Sequence, residues 1–183
     1  MAECNGRVES IYCGSGVDGK GLRVVVFFGG CNLRCPFCHN PETLYRPCAE
    51  TNASSVVARC LRYRGYIRRG GVTLSGGEPF FQPEFALAIM RGLKREGINV
   101  AVETNGHIVN REIIEAADSF IVDVKNQITD DLSPYEKFLS ECDRAGKEVC
   151  LSNVLVPGVN DGKAKIAALK EIKKSHPCVC GFK

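Results

Sequence analysis

Cys31, Cys35 and Cys38 fall within the ten residues Cys31-Asn32-Leu33-Arg34-Cys35-Pro36-Phe37-Cys38-His39-Asn40, spaced by three and then two residues, directly after an apolar run. No other stretch restricts the chain so tightly. Thiolates at this density bind something soft, and zinc or an iron–sulfur cluster are the realistic choices. A four-iron four-sulfur cluster ordinarily takes four cysteines, so a compact set of three without an obvious fourth leaves one iron open. An open iron can bind a substrate.

The rest of the composition narrows the setting. A chain of 183 residues with 44% hydrophobic content suits one domain with one substantial core, residues 1–183. The net charge of +3 lacks the concentrated Lys and Arg excess of a nucleic-acid binder. No apolar stretch reaches membrane-spanning length, and the N-terminus has neither the basic start nor the apolar segment of a signal peptide, so a cytoplasmic protein without membrane or nucleic-acid partners is expected. In that compartment the eleven cysteines are thiols or metal ligands rather than disulfides. Most of the eight outside the motif are expected to be small buried hydrophobes, and Cys178 with Cys180 is too sparse a pair to define another site.

Strands are expected at Val8–Tyr12, then at Leu22–Phe28, Val72–Ser75, Asn99–Thr104, Phe120–Lys125, Val149–Val156 and Val179–Phe182, the continuous Val and Phe run at 22–28 reading as a strand covered on both faces. Helices alternate with them. Thr51–Tyr63 places Val56, Val57, Cys60 and Leu61 inward, Pro83 starts a helix with Phe85, Ile89 and Leu93 on one face, and Gly97 ends it. Arg111–Ala117 is a short helix, Ser133-Pro134-Tyr135-Glu136 opens another with capping-box spacing, and Lys163–Ser175 is the last. Arg59, Arg62, Arg64, Arg68 and Arg69 read as a solvated face, with docking of an acidic partner as the alternative. Six βα repeats with short connections call for a parallel sheet with right-handed crossovers. They are too few for a closed eight-stranded barrel, so the expected fold is α/β, a partial, splayed TIM-like barrel of about six units. Its chemistry belongs at the strands' carboxyl ends, where Cys31, Cys35, Cys38, the Gly76-Gly77-Glu78 turn, Glu103, Thr104, Asp123 and Lys125 converge.

The C-x3-C-x2-C spacing with an aromatic residue before the last cysteine resembles the radical S-adenosylmethionine enzymes, and Cys38-His39-Asn40 resembles their glycyl-radical-enzyme activases of the pyruvate formate-lyase type. Asp18-Gly19-Lys20-Gly21-Leu22-Arg23, Glu103-Thr104-Asn105-Gly106, Asp123-Val124-Lys125 and Val156-Pro157-Gly158 extend the resemblance. It implies that Cys31, Cys35 and Cys38 hold three irons of a 4Fe-4S cluster, and that the fourth chelates S-adenosylmethionine, which is cleaved to a 5′-deoxyadenosyl radical. The radical then takes a hydrogen from a glycine of a partner enzyme. It also implies that Gly76, Gly77 and Glu78 contact the methionyl amine, that the backbone around Phe37 approaches the adenine, and that Lys125 approaches the methionyl carboxylate. Glu103, Thr104 and Asp123 match the region that holds a monovalent cation, although the family has aspartate where Glu103 stands. Asp18 matches the loop beside the partner's glycyl segment, with Lys20 in place of a proline, so a looser loop is expected. Ser152 stands where a cofactor-contacting arginine is expected.

The same resemblance implies a monomer served by a flavodoxin or ferredoxin-like electron donor. The extra ferredoxin-like insert of some activases needs eight cysteines and is excluded, because only Cys48 and Cys60 lie between Cys38 and Gly76. The chain reaches Gly181-Phe182-Lys183 as a strand begins, whereas the family continues; truncation at the C-terminus is the expectation, since a terminal half-strand leaves an open parallel edge. The nearest rival is an anaerobic ribonucleotide reductase activase, against which Glu78 and the Glu103–Gly106 segment argue. From another class, a structural zinc protein would use Cys31, Cys35, Cys38 and His39, but adjacent Cys38 and His39 are poorly placed as two corners of one tetrahedron. A non-catalytic remnant is the third reading.

Overall fold

The computed structural model describes residues 4–48 and 50–183. In chain order the elements are β1 (Asn5–Ser15), β2 (Arg23–Phe28), α1 (Glu42–Tyr45), β3 (Glu50–Asn52), α2 (Ala53–Leu61), β4 (Gly71–Gly76), a 3-10 turn (Pro79–Phe81), α3 (Pro83–Arg95), β5 (Val100–Thr104), α4 (Arg111–Ala116), β6 (Ser119–Asp123), α5 (Ser133–Arg144), β7 (Glu148–Ser152), α6 (Lys163–Ser175) and β8 (Val179–Phe182). The sheet runs β3-β1-β2-β4-β5-β6-β7-β8, parallel from β2 to β8, with β1 and β3 added antiparallel at one edge. It is an open, splayed α/β barrel. The six parallel strands are those the repeat pattern calls for, and the antiparallel edge comes in addition.

Alternation along the strands builds two faces. Val24, Val26 and Phe28 of β2, with Val72, Leu74, Val100, Val102, Phe120 and Val122, face the helices and join Phe85, Ile89, Met90 and Leu93 of α3 in one core. Each such fully buried side chain contributes about 1.5–3 kcal/mol. The opposite face carries Arg23, Thr73, Ser75, Glu103 and Asp123 into the barrel. Arg23 is 1% exposed and forms the barrel floor. Its Nε donates to Thr73 Oγ1 at 2.7 Å and its Nη2 to Val72 O at 2.7 Å and Asn99 Oδ1 at 3.0 Å.

Several sequence expectations are corrected. β1 spans Asn5–Ser15 rather than Val8–Tyr12, because pairing with both β2 and β3 extends it. The helix expected from Thr51 starts at Ala53: Glu50–Asn52 pairs with Asn5–Arg7 as β3, and the Asn52 side chain accepts from Ser54 N to cap α2. The strand expected to Val156 stops at Ser152, and the one expected to Lys125 stops at Asp123. No capping box forms at Ser133, since Leu132 is the N-cap of α5 and Ser133 already lies inside the helix. Of the eight other cysteines only Cys60 and Cys142 are buried; Cys4, Cys13, Cys48, Cys150 and Cys178 are half-buried and Cys180 is exposed. Cys13 and Cys180 lie on β1 and β8, near the margins of the sheet, where one face meets solvent. Arg59, Arg62, Arg64, Arg68 and Arg69 are exposed, as a solvated face should be, with Arg64 paired to Glu96 at 3.2 Å.

Candidate active site

The cysteine loop leaves β2 through Gly29 and Gly30, and the next strand, β4, leaves through Gly76 and Gly77. These two exits are bonded to each other: Gly77 N–H donates to Phe28 O at 2.8 Å and Glu78 N–H to Gly30 O at 2.9 Å, continuing the ladder past the sheet. A Cβ on Gly77 would stand 1.9 Å from Gly30 O, and Gly76 has φ +97°, so this approach requires glycine at both positions. Beyond the turn, Phe80 anchors the wall by packing edge-on against Phe138 with centroids 5.5 Å apart, and Phe138 packs on Phe120 at 5.4 Å.

The loop and the strand ends line one open-mouthed cavity. Cys31, Cys35, Cys38, Phe37, Gly76, Gly77, Glu103, Thr104, Asp123 and Lys125 all line it. The loop is held by Arg34, whose Nη1 donates to Cys31 O at 2.7 Å, and by Cys38 N–H donating to Cys35 O at 3.2 Å. Burial pushes the Cys31 and Cys35 thiols up; the Lys125 ammonium pulls Cys35 the other way. Lys125 Nζ pairs with Asp123 Oδ2 and stands 5.6 Å from the centre of the Phe37 ring. Burial also raises the Glu103 carboxyl, which accepts from Ser75 Oγ at 2.7 Å and lies 3.9 Å from Lys183 Nζ.

Two of the sequence-selected residues stand apart from this cavity. Glu78 is 1% exposed and does not line it; its carboxylate accepts from Thr104 Oγ1 at 2.9 Å, Asn105 N at 2.8 Å and Phe80 N at 3.1 Å. Burial pushes that carboxyl up to about 7 against these three bonds. Glu78 thus braces the turn after β5 from behind. Asp18 lines a neighbouring groove with Tyr12, Val17, Phe27, Asn40 and Glu42, where it accepts from Ser15 Oγ. At Lys20, where the family has proline, the side chain forms an exposed ion pair with Glu148 at 2.7 Å. Ser152 sits opposite Asp123 on β7.

Sequence reasoning assigned no role to several residues that shape the site. Asn105 Nδ2 donates to Asn32 Oδ1 at 2.8 Å and to Cys31 Sγ at 3.7 Å. Asn126 Oδ1 accepts from Asn153 Nδ2 at 2.9 Å and Asn160 Nδ2 at 2.8 Å, tying the loops after β6 and β7 together beside Val154, which lines the cavity. Only the Asn105 motif carried a local signal; the other contacts join residues far apart in the chain.

The donor set fits an iron–sulfur cluster with an amino-acid-bearing ligand. The three thiols of Cys31, Cys35 and Cys38 line one cavity. Across from them, Asp123 Oδ1 is buried with no hydrogen-bond partner, an acceptor left over for a cation or a donor.

A splayed parallel barrel with a three-cysteine loop at its carboxyl edge defines an enzyme of the radical S-adenosylmethionine class. The family model described as the radical SAM superfamily matches residues 25–169. The pyruvate formate-lyase-activating enzyme of Clostridium pasteurianum is 37% identical, over 93% of this chain and 77% of that protein. Its namesake in Staphylococcus epidermidis is 31% identical over 93% and 76%. The chain therefore belongs to the radical SAM superfamily and, within it, to the family of the pyruvate formate-lyase-activating enzymes. Among solved structures, Streptococcus suis SuiB bound to precursor peptide SuiA has a TM-score of 0.64 at 16% identity, over 81% of this chain and 36% of SuiB, a likeness of fold.

Proposed function

We propose that this chain is a single radical S-adenosylmethionine domain that activates a glycyl radical enzyme of the pyruvate formate-lyase type. The observation that carries the reading is that the three thiols and the Lys125–Asp123 pair line one cavity. Cys31, Cys35 and Cys38 would hold a 4Fe-4S cluster as thiolates, giving up their protons on metal binding. When bound, the cluster and S-adenosylmethionine supply reductive carbon–sulfur cleavage and a 5′-deoxyadenosyl radical that takes hydrogen from a glycine Cα of the partner.

The chain's own residues do the rest. Lys125 offers an ammonium to the methionyl carboxylate while Phe37 backs it, and the Gly76-Gly77 turn lets the backbone approach the amino group. Asp123, with Glu103 and Thr104, is the proposed seat of a monovalent cation. Glu78 acts from behind through Thr104 and Asn105. The Asp18 groove runs from the β1–β2 turn to Asn40 and Glu42, beside the cysteine loop, and receives the partner's glycine-bearing segment. A flavodoxin or ferredoxin-like protein as electron donor, a monomeric state and a cytoplasmic setting complete the proposal; no helix of the described residues is long and apolar enough to cross a membrane.

The test is anaerobic reconstitution with iron and sulfide, reduction, and addition of S-adenosylmethionine with and without purified pyruvate formate-lyase. A brown four-iron protein that forms 5′-deoxyadenosine and raises a glycyl radical signal on the lyase is the expected result. Failure of the cluster to form overturns the reading at its root, and cleavage without a signal on the lyase overturns the choice of partner.

A further inference from the structure

Lys125 leaves β6 just where the ladder to β7 ends. Val124 N–H still donates to Ser152 O at 2.8 Å, but the next amide, that of Lys125, donates to the phenol oxygen of Tyr135 at 2.7 Å. Tyr135 is wholly buried in the first turn of α5, so its hydroxyl must find partners inside the protein. The hydroxyl lies 3.0 Å from His107 Nε2. Burial of the ring favours the neutral imidazole, whose unprotonated nitrogen can accept the phenol proton. The two rings meet edge to face at 87° with centroids 5.2 Å apart.

The pair is itself fixed from the cysteine side. His107 N–H donates to Asn105 Oδ1 at 3.0 Å, and Asn105 is the residue that reaches Asn32 and Cys31. Gly106, at φ +69°, lets the loop lie flat on the phenol ring; a Cβ there would come within 3.2 Å of Tyr135 Cδ1 and 3.1 Å of Val122 Cγ1. The contacts therefore run without a gap from the cysteine loop through Asn105, His107 and Tyr135 to the backbone of Lys125.

We propose that Tyr135 and His107 are a positioning pair that fixes the Lys125 backbone, and through it the ammonium that receives the carboxylate of S-adenosylmethionine. The proposal rests on the reading of Lys125 given above. Neither residue lines the cavity; they set where Lys125 begins, while Asp123 and Phe37 set where it ends.

Tyr135→Phe keeps the ring and removes both hydrogen bonds, and should raise the Kd for S-adenosylmethionine of the reconstituted protein about tenfold. His107→Phe should weaken binding in the same direction, and His107→Gln, which keeps an acceptor, should restore it. In a Lys125→Ala background Tyr135→Phe should have no further effect, because the pair acts through that lysine. In lysine-labelled apoprotein, the Lys125 amide should exchange about tenfold faster in Tyr135→Phe than in the parent. An unchanged Kd in Tyr135→Phe, or an equal loss in the Lys125→Ala background, overturns the proposal. Should Tyr135→Phe not fold, His107→Phe against His107→Gln decides it, equal affinities being the overturning result. If the parent protein binds no S-adenosylmethionine, the functional reading fails instead, and the amide exchange still reports on the pair.

Discussion

The barrel interior holds two polar regions that share strands but differ in how their groups are partnered. At the floor, Arg23 donates to Thr73 Oγ1, Val72 O, Asn99 Oδ1 and Lys20 O, and burial lowers its pKa to about 10 against the pull of Asp118 and Asp18. At the carboxyl edge, Asp123 Oδ1 is buried with no partner, and two of the cavity-lining thiols have pKa values raised by burial. A buried group whose bonds are complete is a fixed part of the structure, whereas one left incomplete is held ready for a ligand. Charge in a barrel does not by itself mark a site.

That contrast can be broken by substitution. Cys35→Ala should have the largest effect: no intact four-iron cluster by iron and sulfide analysis and no detectable 5′-deoxyadenosine, while circular dichroism of the apoprotein stays as in the parent. Arg23→Met attacks the floor, removing the guanidinium's bonds to Thr73 Oγ1, Val72 O, Asn99 Oδ1 and Lys20 O together, and should cost about 3 kcal/mol in urea unfolding of the apoprotein. Because its partners are all structural, affinity for S-adenosylmethionine in the folded, reconstituted variant should stay within about twofold. Asp123→Asn reverses that pattern. Stability should fall by about 1 kcal/mol or less, since the pair it breaks is only partly buried, while the Kd for S-adenosylmethionine rises about tenfold as Lys125 loses its anchor.

The smallest effect belongs to a satisfied pair outside the barrel, which serves as the reference. Asp143 accepts from His176 Nδ1 at 2.7 Å and Cys178 N at 2.7 Å, clasping α5 to the start of β8. Burial alone would raise its carboxyl, but these bonds outweigh it and hold the pKa below the usual value. A depressed carboxyl pKa contributes stability that is present above the unfolded-state value near 3.8 and is lost as pH falls through the folded one. Asp143→Asn should therefore cost about 1 kcal/mol at neutral pH and flatten the acid limb of an unfolding titration below about pH 4.

What the sequence disclosed and what it concealed divide by range. The Cys31–Cys38 spacing, the strand-then-glycine exits at Gly29 and Gly76 and the six parallel repeats are local patterns, and each is present in the fold. β3 was not legible because Glu50–Asn52 becomes a strand only by pairing with Asn5–Arg7, more than forty positions away. The family pattern places Glu78 beside the cofactor, yet its side chain turns inward, because Thr104 and Asn105, presented by β5, offer it donors that no local rule reveals. Tyr135 looked like part of a capping box. Its role depends on Lys125 and His107, which only the tertiary fold brings together.

The backbone bonds from Gly77 to Phe28 and from Glu78 to Gly30 have a mechanical consequence. They make the cysteine loop and the glycine turn one lever, so thermal motion that carries one carries the other. A group seated on the loop and a group resting on the turn keep their separation while the barrel breathes around them.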